Sequence, residues 1–317
     1  MSPGLILALA LVLDAFAGEP AWLYRRLRHP VVLMSDMLMA GEKHLNRMAW
    51  SAGHRKFAGS ILISLCVLLL AGIGTGLEQG LSGSVAGDLV LVVLIFSLLA
   101  ARSLYDHVQA VFQALQNKDG LTAARNAVGR IIGRETTALD EAAISRASIE
   151  SLAENFSDGI AAPVFWYLLA GLPGLLVYKM VNTADSMIGH RSDRFRDFGW
   201  AAARLDDLLN LVPARLTALL FTAVAVLVGK PGAALVTAWT QARNHTSPNA
   251  GWPEAAMAGA LDIRLGGPRI YPGNQKVDGA WFGDGNEAGP RQIVKALWLG
   301  FFSWLVILLG VAGWGSL

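Results

Sequence analysis

The chain has 317 residues, 54% of them hydrophobic and only 16% charged, where soluble domains average roughly 25% charged. Its 26 Lys and Arg against 24 Asp and Glu leave a formal charge of +2. That excludes the clustered basic excess of a nucleic-acid binder and the charge-rich composition of a disordered chain. A single cysteine, Cys66, excludes a disulfide framework and any CxxC metal or redox site.

The placement of the charges separates a large soluble protein from a membrane protein. Leu5 to Gly18 carries only Asp14. It lacks the basic start and small-residue cleavage site of a signal peptide, so a retained helix is expected. The stretch 19–56 holds seven Lys and Arg, and 102–158 holds six. Between them, Phe57 to Leu77 carries no charge and Gly83 to Ala101 only Asp88. Gly159 to Tyr178 is uncharged but contains Pro163 and the turn signal Gly171-Leu-Pro-Gly. Leu216 to Gly229 and Ala296 to Leu317 are uncharged too. Spanning a bilayer core takes about 20 apolar residues as a helix, so the chain reads as an integral membrane protein.

The expected fold is all-α and polytopic, a single membrane-embedded domain over 1–317. Spans are expected near 5–18, 57–77, 83–101, 208–229 and 296–315. A broken, re-entrant hairpin is expected at 159–178, where Pro and Gly interrupt the apolar run, and Gly229-Lys-Pro-Gly232 suggests a second over 208–242. Positive-inside asymmetry puts the N-terminus outside and the loops 19–56, 102–158, 179–207 and 241–295 in the cytoplasm.

The polar segments carry the chemistry. Thr137 to Glu141 opens a helix with capping residues and early acids. Along it Arg146, Glu150, Glu154 and Asp158 recur every four residues, which lines them on one helical face. Such a stripe is ordinarily a solvated ion-pair row. Here it runs into a membrane segment, where polar groups are more often site groups. The densest region, 179–207, interleaves Arg191, Arg194 and Arg196 with Asp185, Asp193, Asp197, Asp206 and Asp207. Arginine forks grip phosphate, and aspartates hold Mg²⁺ together with bridging phosphates. The plain alternative is a network of mutual ion pairs. No P-loop or GxGxxG pattern is present, and no HxxxH or HExxH supports zinc. The loop from Asn244 to Pro253 is rich in Pro, Gly and Asn and exposes donors and acceptors.

Four blocks together resemble the adenosylcobinamide-phosphate synthase family of cobalamin biosynthesis, the CbiB/CobD type. They are Gly18-Glu-Pro…His29-Pro; Glu150-Ser-Leu-Ala-Glu-Asn-Phe-Ser-Asp-Gly159; Asn182-Thr-Ala-Asp-Ser-Met…Phe198-Gly-Trp…Arg204-Leu-Asp-Asp…Pro213-Ala-Arg; and Ser247-Pro-Asn-Ala-Gly-Trp-Pro. The resemblance covers roughly residues 10 to 275 in order. Glu19-Pro20 stands where the family usually has Asp-Pro, and the stretch from Asp278 to Arg291 matches no part of it.

The resemblance implies an inner-membrane enzyme that joins adenosylcobyric acid to (R)-1-aminopropan-2-ol O-phosphate, forming an amide with ATP hydrolysis. ATP and Mg²⁺ are then the expected cofactors, with the corrinoid as substrate and the bilayer as partner. No nucleic acid is expected; contact with other corrinoid-pathway enzymes is left open. On this reading Arg191, Arg194, Arg196, Arg204 and Lys179 are candidates for phosphate, with His245 and Asn249 as further binding groups. Asp185, Asp193, Asp197, Asp206 and Asp207 are candidates for Mg²⁺. Glu150, Glu154, Asp158 and Asp185 are the candidate catalytic carboxylates, and Trp200 and Trp252 could lie against the corrin ring. Two other classes remain. A CDP-alcohol phosphotransferase would need D-x2-D-G, which is absent although Asp193-x3-Asp197 exists. A transporter or signalling relative would place its polar groups inside the spans.

Overall fold

The computed structural model describes residues 1–20, 24–117, 120–190, 192–271 and 275–314. Helix boundaries follow capping chemistry. Helix α1 (Pro3–Ala17) starts at Ser2, whose Oγ accepts the Leu5 N–H, with Pro3 where a missing N–H is harmless. Helix α2 (Pro30–Leu45) repeats the device: His29 Nδ1 accepts the Val31 N–H ahead of Pro30. Serines 51 and 84 cap α3 (Ala52–Leu81) and α4 (Val85–Phe96). The chain continues through α5 (Ala101–Leu115) and α6 (Gly120–Val128). Helix α7 (Glu141–Phe156) opens as expected, the Asp140 carboxylate accepting the Ala143 N–H at 2.8 Å.

A π-helical turn, Ser157–Ala161, leads into α8 (Ala162–Ile188). Then come α9 (Trp200–Leu209), α10 (Leu211–Val228), α11 (Pro231–Gln241) and α12 (Gly251–Leu261). Four short strands interrupt the helical pattern. β1 (Leu265–Gly266) pairs antiparallel with β4 (Trp281–Phe282), and β2 (Arg269–Tyr271) with β3 (Gln275–Val277). Helix α13 (Pro290–Trp314) closes the described chain.

Among the described residues, five stretches are long and apolar enough to cross a membrane: Ala52–Leu81, Val85–Leu115, Glu141–Ile188, Leu211–Val228 and Pro290–Trp314. The protein is an all-α, multi-pass membrane protein. Helix α1 is apolar but has 15 residues, about 22 Å at 1.5 Å per residue.

The third of these stretches is broken at the expected place. Ala170 and Gly171 leave helical geometry, Gly171 at φ 64° and ψ −156°, a conformation essentially restricted to glycine. Residues 166 and 174 would be about 12 Å apart along a straight helix. Here a Cβ on Gly174 would lie 2.4 Å from the Trp166 carbonyl oxygen. The two arms of α8 therefore fold back on each other. Pro173 becomes a first-turn residue of the second arm, where it is tolerated. The Glu78 carboxylate accepts the Leu172 N–H at 3.2 Å, capping that arm from α3. The interruption at 229–232 likewise separates α10 from α11, which pack on each other.

The chain forms two compact units. In the first (Met1–Ala100, Ala162–Asn210 and Gly310–Leu317), α3 packs along α8, α1 against α4, and α9 against α8 and α3. In the second (Ala101–Ala161 and Leu211–Leu309), α12 is the centre. All its residues are buried, and α10, α11 and α7 surround it. Its run Ala255-Ala-Met-Ala-Gly-Ala-Leu is apolar on every side, which suits a helix enclosed by others.

Candidate functional site

The first unit gathers Asp185, from the end of α8, with Asp206 and Asp207 from α9. Asp206 is held by two amides. Asn182 donates to its Oδ1 at 3.3 Å, and Asn210 to its Oδ2 at 3.0 Å. The Oδ1 of Asn210 accepts the Tyr178 hydroxyl proton at 3.0 Å. A carboxylate only accepts and an amide does both, so this chain of bonds has one direction, from phenol to acid. Burial, with the negative charges of Asp185 and Asp207, pushes the Asp206 carboxyl up to about 7 against the pull of the two amides. Asp207 pairs with Arg204 at 2.9 Å, and Asp185 feels the charges of Asp207, His190 and Arg204.

The remaining members of the 179–207 cluster do other things. Arg194 spends its fork on Glu42, Nε to Oε1 at 2.9 Å and Nη2 to Oε2 at 2.7 Å. The guanidinium holds the buried Glu42 carboxyl below its ordinary range. Arg55 donates to the backbone carbonyls of Asp193 and Arg194. Asp197 lies 3.9 Å from Lys56. Here the ion-pair alternative describes the geometry: these contacts tie the loop to α2 and α3. Neither Asp193 nor Asp197 is among the charges that act on Asp206. Arg196 is exposed, as is Trp200, over which Lys56 Nζ lies 6.0 Å from the ring centre. Lys179 is half-buried and acts electrostatically on His29. Burial keeps that imidazole's pKa below its ordinary value, consistent with a neutral ring accepting the Val31 N–H. Arg191 lies outside the described residues.

Among the described residues no three His, Cys, Asp or Glu side chains converge closely enough to hold a metal ion by themselves. Mg²⁺ commonly uses one or two carboxylates, waters and substrate phosphates rather than an all-protein cage. The Asp185–Asp206–Asp207 group supplies carboxylates of that kind.

In the second unit the four-residue stripe does not form one open face. Glu150 is buried, with Arg134 at 3.2 Å and Arg146 at 3.9 Å, and its Oε1 accepts the Gly266 N–H at 2.7 Å. It joins α7 to β1 rather than facing solvent. Glu154 is exposed. Asp158 is half-buried inside the π turn. The loop before α12 is ordered by its own side chains. His245 Nδ1 accepts the Ser247 N–H at 2.9 Å, and its Nε2 lies 3.8 Å from the buried Glu254. Asn249 is buried, and its Oδ1 is 3.4 Å from Arg215 Nη1. Trp252 is buried between Arg215, 4.8 Å from its ring centre, and Trp239. It is therefore a packing residue and not an open plate for a planar ligand.

A helical, multi-pass membrane protein with a carboxylate cluster at the end of one apolar stretch and on the polar helix after it is the class defined by this fold and site. The chain belongs to the CobD/Cbib protein family, whose model matches residues 7–300. The match includes the stretch 278–291, which the sequence blocks left unplaced. The chain is 47% identical over 311 residues to a cobalamin biosynthesis protein CobD of a Sinorhizobium species, covering 96% of each chain. It is 50% identical to the protein of that name from Rhizobium meliloti strain 1021, covering 90% of this chain and 88% of the relative. It is 47% identical to that from Brucella suis biovar 1, covering 97% and 95%. No solved structure is significantly similar to this chain.

Proposed function

We propose that the protein acts in cobalamin biosynthesis as an ATP-dependent ligase, joining the carboxylate of adenosylcobyric acid to the amine of (R)-1-aminopropan-2-ol O-phosphate. The relatives' names support the pathway. The observation that carries the chemistry is the group Asp185, Asp206 and Asp207, with Arg204 beside it.

A carboxylate is not electrophilic at neutral pH. The corrinoid carboxylate attacks the terminal phosphorus of ATP, a co-substrate, and ADP leaves. The amine then attacks the acyl phosphate, its proton passes to a carboxylate, and inorganic phosphate departs. Mg²⁺, when bound, supplies neutralisation of the phosphate charge. Asp185, Asp206 and Asp207 are the residues that would hold it, because a cation offsets the burial and the charges of Asp185 and Asp207 that raise the Asp206 carboxyl.

Arg204 and Arg196 are the cations proposed for phosphate, with Arg191 from the sequence reading. Glu154 and Asp158 are the carboxylates proposed to take the ammonium proton, and Glu150 positions α7. Exposed Trp200 is proposed to meet the flat corrin. The reaction is placed at the inner membrane, with the polar loops in the cytoplasm.

Turnover by the purified protein in lipid nanodiscs tests the reading. ADP release should require both the corrinoid acid and the amine. Carboxylate-¹⁸O-labelled corrinoid acid should deliver one ¹⁸O into inorganic phosphate. Label in AMP would mean an acyl adenylate, and amide product without nucleotide consumption would overturn the ligase.

A further inference from the structure

A cavity of about 500 Å³ opens in the second unit between the end of α11 and the loop after β4. It is walled by Gln241, Asn244, Arg264, Trp281 and the segment Gly283-Asp284-Gly285. None of these is among the expected site residues, and four lie in the 278–291 stretch.

The wall is built, not incidental. Gly283 has φ 75°, and a Cβ there would sit 2.3 Å from the Ile263 carbonyl oxygen. The Gly283 N–H donates to Gln241 Oε1 at 2.7 Å. That bond fixes the amide, so the Gln241 NH₂ is the end left for another acceptor. Arg264 lies over the Trp281 ring, 4.4 Å from its centre. Arg146 lies 5.1 Å from the same ring. The stack holds the Arg264 guanidinium in place while leaving its N–H edge available.

The charges are unusual. Arg264 and Asp284 line one cavity, both exposed, yet no ion pair joins them. Among the described residues, neither is within ion-pair distance of any opposite charge. Two opposite charges that line one cavity without neutralising each other suit a ligand carrying both signs. A simple anion would be repelled by Asp284, and a simple cation by Arg264. Arg264, with the Gln241 amide, supplies donors for a phosphate, and Asp284 supplies the acceptor for an ammonium.

We infer that this cavity docks a small zwitterion of the aminoalkyl phosphate class, with Arg264 and Gln241 on the phosphate and Asp284 on the ammonium. Resting on the ligase reading, this assigns the amine substrate's docking subsite. Asp284 holds the amine in its protonated, unreacted form.

The test uses the full chain in nanodiscs with two readouts. One is calorimetric binding of 1-aminopropan-2-ol O-phosphate, of propane-1,2-diol 2-phosphate, which lacks the ammonium, and of inorganic phosphate. The other is steady-state KM for each substrate. Asp284→Asn and Arg264→Lys are used because both preserve size; Arg264→Ala is added for complete loss. Each should weaken aminoalkyl phosphate binding by about tenfold or more, the scale of one charge-assisted contact. KM for ATP and for the corrinoid acid should not move. Asp284→Asn should also stop discriminating between the aminoalkyl phosphate and its deaminated analogue. Unchanged binding and KM in all three variants would overturn the subsite and leave the ligase standing. Weakening by the Arg264 variants alone would overturn it in favour of a simple anion site. Variant-sensitive binding by a wild-type protein that forms no amide would keep the subsite and remove the ligase.

Discussion

Asp206 shows how a single side chain can be costly to the fold and useful to the site. Its carboxyl is raised to about 7 by burial and by Asp185 and Asp207. A folded-state value above the unfolded one stabilises the fold at low pH. That contribution is lost as pH rises from about 4 through about 7. Asp206→Asn removes the penalty while keeping the shape. In EDTA at pH 8 the variant should melt no lower than the wild type, and a plot of melting temperature against pH should be flatter between 4 and 8. Its turnover should fall by about 10²–10³-fold, the scale of one lost electrostatic contact to a reacting charge. A variant that melts lower yet turns over normally would assign Asp206 to the architecture instead.

The aspartates and arginines of this region were legible in the sequence because charge is conspicuous in a chain this apolar. Their division of labour was not. Arg194 and Arg204 sit in one short charged run, yet one is tied to Glu42 on α2 and the other to Asp207 three residues on. Spacing along the chain carries no sign of partners brought together by tertiary packing. Asn210 and Tyr178 were missed for the opposite reason: each sits in or beside an apolar run and resembles span. An amide inside such a run was the available signal, because buried amides need partners.

At the scale of elements, the break in α8 was readable and the π turn before it was not. Pro and Gly leave a compositional mark, because one removes an N–H and the other permits φ above zero. A π turn inserts one residue into the helical ladder and carries no characteristic composition. The strands at 265–282 escaped as well, since two- and three-residue pairs carry too little alternation to register.

The α8 turn makes a sharp prediction. Gly171 occupies a conformation open essentially to glycine alone, and a Cβ would lie 2.6 Å from the Glu78 carboxylate that caps the second arm. Gly171→Ala should cost about 1–3 kcal/mol from backbone strain, read as a lower melting temperature of the purified protein. Gly72→Ala, in open space on α3, should be neutral or slightly stabilising. Equal melting for the two variants would mean that the turn tolerates a side chain and that the hairpin is held by its packing alone.

At the scale of the molecule, the turn decides on which side of the bilayer the carboxylate cluster lies. A straight helix through 162–188 would carry the chain across and leave 189–207 on the far side from residue 161. Two arms folded back at Gly171 are expected to return the chain to the side it entered from. The second arm has 17 residues, from 172 to 188, about 25 Å, short of a full bilayer with its headgroups. Charge asymmetry makes the cytoplasm the expected side for 19–56, and we propose that side for 189–207, which is tied to it through Glu42, Arg55 and Lys56. Ser192 is exposed and reports it directly. In a Cys66→Ala background, Ser192→Cys in intact cells should resist a membrane-impermeant maleimide and react fully once the membrane is opened. Asp185, Asp206 and Asp207 would then face the compartment that holds ATP, as the ligase requires. Full labelling in intact cells would put the cluster on the other face and separate it from its nucleotide.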